Sequence, residues 1–158
     1  MYTSDNDITD YFSKSVTATK ERNPGYTPQI INLSFPDMLH HLCFNIKQND
    51  IILDYKYFKL CAFPETYEML IKYVIDIIQS TVTNYSEFIL HINMKSLSLS
   101  DIDKYYSFIQ AISETMKRIF PNKLSKCYIY NAPFIFSQLF NTLSCFIDKK
   151  TQQKIVLK

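Results

Sequence analysis

The chain has 158 residues, 47% apolar, 20% charged and 15% aromatic, with a formal net charge of +2, which is one domain's worth of core and too apolar for a disordered chain. Its single glycine, Gly25, excludes the Gly-rich phosphate cradle, the dinucleotide fingerprint and the nucleophile elbow, all of which need glycine where backbone approaches a ligand. Charge is unevenly spread, with 7 Lys/Arg against 10 Asp/Glu in residues 1–79 and 10 against 5 in residues 80–158, so the second half suits an anionic partner such as a phospholipid headgroup.

Residues 1–35 are polar, with few apolar anchors and with Pro24 and Pro28; they read as a loosely ordered arm, with no secretory signal. The domain proper spans 36–158. A short helix begins at Pro36, where a missing N–H costs nothing in the first turn. Leu53, Tyr55 and Tyr57 alternate with Asp54 and Lys56, which predicts a half-buried strand over 52–57. Pro64 and Glu65 open a helix whose apolar face carries Tyr67, Leu70, Ile71, Val74, Ile77 and Ile78. Phe88 to Met94 is a mostly apolar strand. Ser100 caps the next helix, with Asp103 as its reciprocal partner, and the buried stripe runs Ile102, Tyr105, Tyr106, Ile109, Ile112, Met116 and Ile119. Lys126 to Tyr130 is a third strand. Pro133 starts a third helix with Phe136, Leu139, Phe140, Leu143, Phe146 and Ile147 inward, and Lys154 to Leu157 is a fourth strand. Strands alternating with helices of this length predict an α/β class, with βαβ units forming a largely parallel sheet. Ligands of such sheets sit beyond the strands' carboxyl ends, here near Asn93 to Lys95 and Asn131 to Pro133.

Little in the sequence specifies a reaction. His40, His41 and Cys43 do not converge on a metal, because neighbouring histidines on a helix point about 100° apart, so no metal site is expected. Cys43, Cys61, Cys127 and Cys145 form no C-x-x-C pair and read as reduced thiols of a cytoplasmic protein. His91 and Asn93 share one face of their strand and are either a satisfied structural pair or the lining of a wet cavity. No activated nucleophile or carboxylate pair accompanies them, and the chain reads as a non-enzyme. The aromatic load of the third helix region, Phe134, Phe136 and Phe140, fits core packing or the lining of an acyl-chain cavity equally. A basic stripe denser than Lys117, Arg118, Lys123 and Lys126 would be needed for nucleic acid, which is not expected as a partner. Abundant Ile, Lys, Asn, Tyr and Phe beside one Gly suggest an AT-rich coding sequence, such as that of a large virus or a protist.

Three linked segments carry a resemblance: Phe120-Pro121-Asn122-Lys123-Leu124, then Cys127 through Asn131-Ala132-Pro133-Phe134 to Phe136, then Phe146-Ile147-Asp148 through Thr151 and Lys154 to Ile155. In order and spacing they resemble the CRAL-TRIO lipid-binding domain family, of the type of the yeast phosphatidylinositol/phosphatidylcholine transfer protein. The resemblance implies a non-catalytic, cytoplasmic protein peripheral to membranes that binds phospholipid or another hydrophobic small molecule, with no cofactor beyond bound lipid. In phosphatidylinositol binders the Thr and Lys of T-x-x-K-I contact the headgroup phosphate, which implies Thr151 and Lys154; the competing reading makes Thr151 a turn stabiliser and Lys154 a solvated strand start. Asn122 stands where the inositol-binding member carries a glutamate. His91, Asn93, Phe134, Phe136 and Phe140 are the expected pocket lining. The family continues past the K-I strand with a gate helix, and the sequence ends at Lys158, so the expectation is a domain truncated before the gate. Its pocket would be lidless, or closed by a second copy or a protein partner; the polar arm is a poor substitute cover. The alternative function is a protein-interaction scaffold on this fold with no lipid.

Overall fold

The computed structural model describes residues 7–12 and 33–158; what the sequence implied for residues 1–6 and 13–32 lies outside these. Helix α1 (7–12) comes first. Helix α2 (Phe35–Leu42) follows, capped by Ser34, whose hydroxyl accepts from Asp37 N, with Pro36 in its first turn as expected. The strands are β1 (Cys43–Lys47), β2 (Asp50–Asp54), β3 (Phe88–Asn93), β4 (Leu124–Tyr130) and β5 (Ile155–Leu157). Between them lie α3 (Tyr55–Cys61), a 3-10 turn (Pro64–Thr66), α4 (Tyr67–Tyr85), α5 (Leu99–Lys104), α6 (Tyr106–Ile119), α7 (Phe136–Leu143) and α8 (Lys149–Gln152). The five strands lie side by side in chain order. Strands β2 to β5 are parallel, and β1 turns back antiparallel on β2. This is the predicted α/β architecture with one added edge strand.

Alternation along the parallel strands sorts the sheet into two faces. Ile51, Leu90, Ile92 and Ile129 lie in the main core with α4, α6 and α7, whereas Ile52 and Tyr130 belong to a smaller cluster on the other side with Phe44 and Tyr128. In α4 the predicted stripe holds: Leu70, Val74 and Ile78 are buried, each removing about 2–3 kcal/mol of apolar surface from water.

The structure corrects several boundaries. The alternation of Leu53, Tyr55 and Tyr57 does not extend the strand. Asp54 ends β2 and caps α3, accepting from Lys56 N at 3.1 Å, so a capping side chain overrides a period-two pattern. The cap of α5 is Ser98, not Ser100: its N–H donates to Asp101 Oδ2 at 2.9 Å. The earlier start lets Leu97 and Ile102, both buried, form the hydrophobic staple that flanks such a cap. The single predicted helix then breaks at Tyr105 (φ −104°, ψ 13°). The break rotates α6 so that Phe108 turns inward while Tyr106 and Ile119 stay exposed. Pro133 opens a turn rather than a helix, its carbonyl accepting from Phe136 N at 2.9 Å. Phe146 and Ile147 fall beyond the end of α7, and Lys154 precedes β5.

Where the N-terminal arm is described, it differs from the loose order expected of it. Helix α1 buries Ile8 and Phe12 to 2% and 1% exposure against Ile52 and Tyr130. Phe12 meets the Tyr130 ring at 4.9 Å and Tyr11 meets Phe44 at 5.7 Å. Two apolar residues four apart form one helical stripe, which is enough to dock a polar segment.

Turns that need a left-handed backbone use Gln48 (φ 48°), Ser86 (φ 71°), Asn122 (φ 59°) and Asn131 (φ 56°). Asn tolerates this region through local hydrogen bonding, which is how a chain with one glycine still turns sharply.

Candidate functional site

Between the sheet and the helices lies a half-open cavity of about 150 Å³. Leu53 and Ile92 form its floor, Leu70 and Val74 of α4, Ile109 and Ile112 of α6 and Leu139 and Leu143 of α7 its walls, and Met94, Leu97 and Ile102 one end. These are the inward stripes of amphipathic helices meeting the apolar face of parallel strands, at the strands' carboxyl half as expected. Tyr55, Asp101 and Tyr105 also line it, but the surface they present is apolar almost throughout. Asp101 Oδ2 pairs with Lys59 Nζ at 3.1 Å and accepts from Ser98 N. Burial alone raises the Asp101 pKa, but the donors Ser98, Tyr55 and Lys59 outweigh it and hold the carboxyl below its usual range. Burial, and then the neighbouring Asp101 carboxylate, push the Tyr55 phenol up.

The residues expected to line a pocket lie elsewhere. His91 is buried on the opposite face, with Nε2 donating to Asp50 Oδ1 at 2.7 Å and Nδ1 meeting the Tyr130 hydroxyl at 2.9 Å. Asn93 Oδ1 accepts from Lys95 N and from Asn131 Nδ2. Of the two readings offered by the sequence, these contacts match the satisfied polar pair. Phe134 is 96% exposed, Phe136 is buried in the core and Phe140 packs at its margin; none of the five lines the cavity. The physical reason is the pleat: Leu90 and Ile92, not His91 and Asn93, turn toward the helices.

The expected headgroup residues do come together, at the amino ends of β4 and β5. Asn122 Oδ1 accepts from Lys150 Nζ at 3.3 Å, and Lys154 Nζ donates to Leu124 O at 2.6 Å. Asp148 Oδ1 accepts from Thr151 N at 2.7 Å, capping α8 as the sequence suggested. Hydrogen bonds from Thr151, side chain first and then backbone, hold the Asp148 pKa below its ordinary value. This cluster and the cavity are separated along the sheet: Leu124 pairs with Phe88, four residues before Ile92, about 13 Å of parallel strand.

Residues 83–158 match the sequence profile of the CRAL/TRIO domain. The chain is similar to the Sec14 cytosolic factor of Schizosaccharomyces pombe, 33% identical over 63 residues that cover 40% of this chain and 22% of that protein. It is also similar to the SEC14 cytosolic factor of Yarrowia lipolytica, 34% identical over 64 residues, 40% of this chain and 13% of that protein. The matches thus span about a fifth of these relatives' length or less. In structure the chain is similar to crystalline Sfh5, with a TM-score of 0.66 at 14% identity, over 80% of this chain and 50% of that one. The fold shared with Sfh5 therefore extends beyond residues 83–158. Among the described residues no helix is long and apolar enough to cross a membrane.

Sequence reasoning missed Tyr55, which it placed in a strand, and Lys59 with Asp101, which it did not single out. The pairing of Ser98 with Asp101 three residues on was a signal that could have found the last of these.

Proposed function

We propose that this chain is a non-catalytic lipid-binding protein whose cavity takes up a segment of an acyl chain, and which works in the cytoplasm at membrane surfaces. The observation that carries the reading is an apolar cavity between sheet and helices in a CRAL/TRIO fold. Its volume of about 150 Å³ matches an engineered apolar cavity that takes up benzene and falls below the range of whole-ligand pockets. It therefore suits part of a chain. About six methylenes would gain about 5 kcal/mol, which on its own is sub-millimolar binding, so a second point of attachment is required.

Thr151, Lys154 and Asn122 are the proposed second point, toward a phospholipid or phosphoinositide phosphate. Their support is the exposed cationic setting of Lys117, Lys123, Lys149 and Lys150 around α8. Phosphate binding there requires Lys154 to exchange the Leu124 carbonyl for a phosphate oxygen, a stronger charge-assisted bond. The relatives' printed names, cytosolic factors, support the cytoplasmic part of the proposal. Organic extraction of the purified protein followed by mass spectrometry should yield bound lipid. Clean apo protein that also fails to bind phosphatidylcholine vesicles doped with phosphatidylinositol overturns the reading.

A second reading, a protein-interaction scaffold, is favoured by Phe134, 96% exposed, in the connection after β4, and Leu99, 57% exposed, at the start of α5. A stable dimer in light scattering, free of lipid and lost on Phe134→Ser, would select it.

A further inference from the structure

The sheet face turned away from the cavity carries buried charge. Asp54, the last residue of β2, lies two residues beyond Ile52 and so on the same face, the one on which α1 docks. It is 4% exposed. Its carboxylate accepts from two neutral donors, Lys56 N at 3.1 Å and the side chain of Asn93, its register neighbour on β3. The titratable groups that face it come from each element around it: Tyr11 from α1, Tyr57 and Lys56 from α3, and His41 from α2, with Lys56 and His41 attracting it electrostatically. Tyr11 is half-buried against Phe44 at 5.7 Å, whereas the carboxylates of α1 itself, Asp7 and Asp10, are exposed. Docking α1 therefore sets a phenol ring beside a buried anion and withholds water from it. A carboxylate without an ammonium or guanidinium to pair with resists such burial until it takes up a proton.

We propose that α1 is a pH-sensitive latch on the sheet, closing when Asp54 is protonated and loosening when Asp54 is ionised. Burial outweighs the hydrogen bonds from Lys56 and Asn93 and the attraction of Lys56 and His41, and holds the Asp54 carboxyl above its ordinary 3.8. Whatever raises that value in the docked state favours docking in acid to the same extent. Docking strengthens as pH falls through the raised value and gains nothing below 3.8, where the carboxyl is protonated with α1 docked or released. One linked proton limits the gain to about ten-fold per pH unit. The imidazolium form of His41 opposes the latch, because it favours the ionised carboxylate. The other titratable pair on this face, His91 and Asp50, meet at 2.7 Å at the opposite end of β2, about 13 Å away. Asp101 and Asp148 have the opposite sign, being held low, so the latch is read at α1 and not from global stability. Asp54 also caps α3, whose Tyr55 and Phe58 line the cavity, so one carboxyl joins the latch to the cavity wall.

Amide exchange of the full chain, expressed as protection factors for residues 7–12, tests the latch between about pH 7.5 and about pH 4.5. Protection should rise several-fold on acidification, by no more than about ten-fold per unit. Asp54→Asn imitates the protonated carboxyl and still caps α3, so its protection should be high and flat over the whole range. His41→Gln should keep the rise or steepen it. A reciprocal measurement leaves Asp54 in place: its carboxyl carbon-13 shift should titrate above 3.8 in the native chain and return toward 3.8 in Phe12→Ala, where α1 is released. Protection that is flat or falls on acidification, or a rise that survives Asp54→Asn, overturns the latch. So does an Asp54 titration that is the same in the native and Phe12→Ala chains, and this decides alone if Asp54→Asn does not fold.

Discussion

Asp101→Ala tests the capped ion pair behind the cavity wall. The substitution removes a carboxylate that accepts from Ser98 N at 2.9 Å and pairs with Lys59 Nζ at 3.1 Å. Loss of the reciprocal cap is worth about 1 kcal/mol. The ion pair joins a carboxylate that is 6% exposed to an ammonium that is 33% exposed. Lys59 also keeps its bond to Ser96 O at 3.1 Å, so the pair contributes about 1 kcal/mol after solvent screening. The expected loss is about 2 kcal/mol, or roughly 4–8 °C in melting temperature for a domain of this size. Urea denaturation followed by circular dichroism measures it, and a cycle with Lys59→Met isolates the pair. The sign of the pH dependence is fixed. Asp101 is held below its ordinary value of 3.8 in the folded protein. Its contribution is therefore complete above that value and is lost as pH falls through the lowered folded pKa. The gap between wild type and variant should persist at neutral pH and close below about pH 4. A loss under about 0.5 kcal/mol, a vanishing coupling to Lys59, or a gap that widens on acidification would refute the reasoning.

Three further outcomes follow from other parts of the fold. Phe12→Ala should release α1 from the sheet: amide exchange at residues 7–12 should rise to unprotected rates, while global stability falls by less than the ~3–5 kcal/mol of a core Phe→Ala change such as Phe88→Ala. Ser86→Gly, at φ 71° after α4, should raise stability by about 0.5–1 kcal/mol by relieving a left-handed non-glycine, measured as a shift of the urea midpoint. Lys154→Ala should weaken sedimentation with phosphatidylinositol-containing vesicles more than Lys158→Ala does; equal effects would reduce Lys154 to generic charge.

Much of the fold was legible because the helices are strongly amphipathic and the parallel strands nearly continuously apolar. Leu70, Val74 and Ile78 announced α4, and Asp148 with Thr151 announced the short turn before β5. The strand β1 was not legible: Cys43-Phe-Asn-Ile-Lys is short, and its burial comes from β2 and α4 rather than from its own pattern. The span from Leu53 to Tyr57 satisfied a strand period, and only the reach of Asp54 to Lys56 N shows that a helix begins there. For the cavity, aromatic content and polar strand residues were misleading guides. Which strand face the helices cover decides the lining, and the apolar partners of His91 and Asn93 in the alternation, Leu90 and Ile92, held that information. That Tyr55, Lys59 and Asp101 would meet is a property of three-dimensional convergence that no local pattern encodes.

The position of α1 makes the molecule mechanically lopsided. By touching Phe44, Ile52 and Tyr130, it grips β1, β2 and β4 crosswise. A pull on the N-terminal side is therefore shared among three strands and loads their ladders together. A pull from Lys158 reaches the sheet through β5 alone, three residues against one neighbour, and peels it one bond at a time. A force applied to β5 should therefore release that strand while the cavity walls and the α1 clasp stay intact.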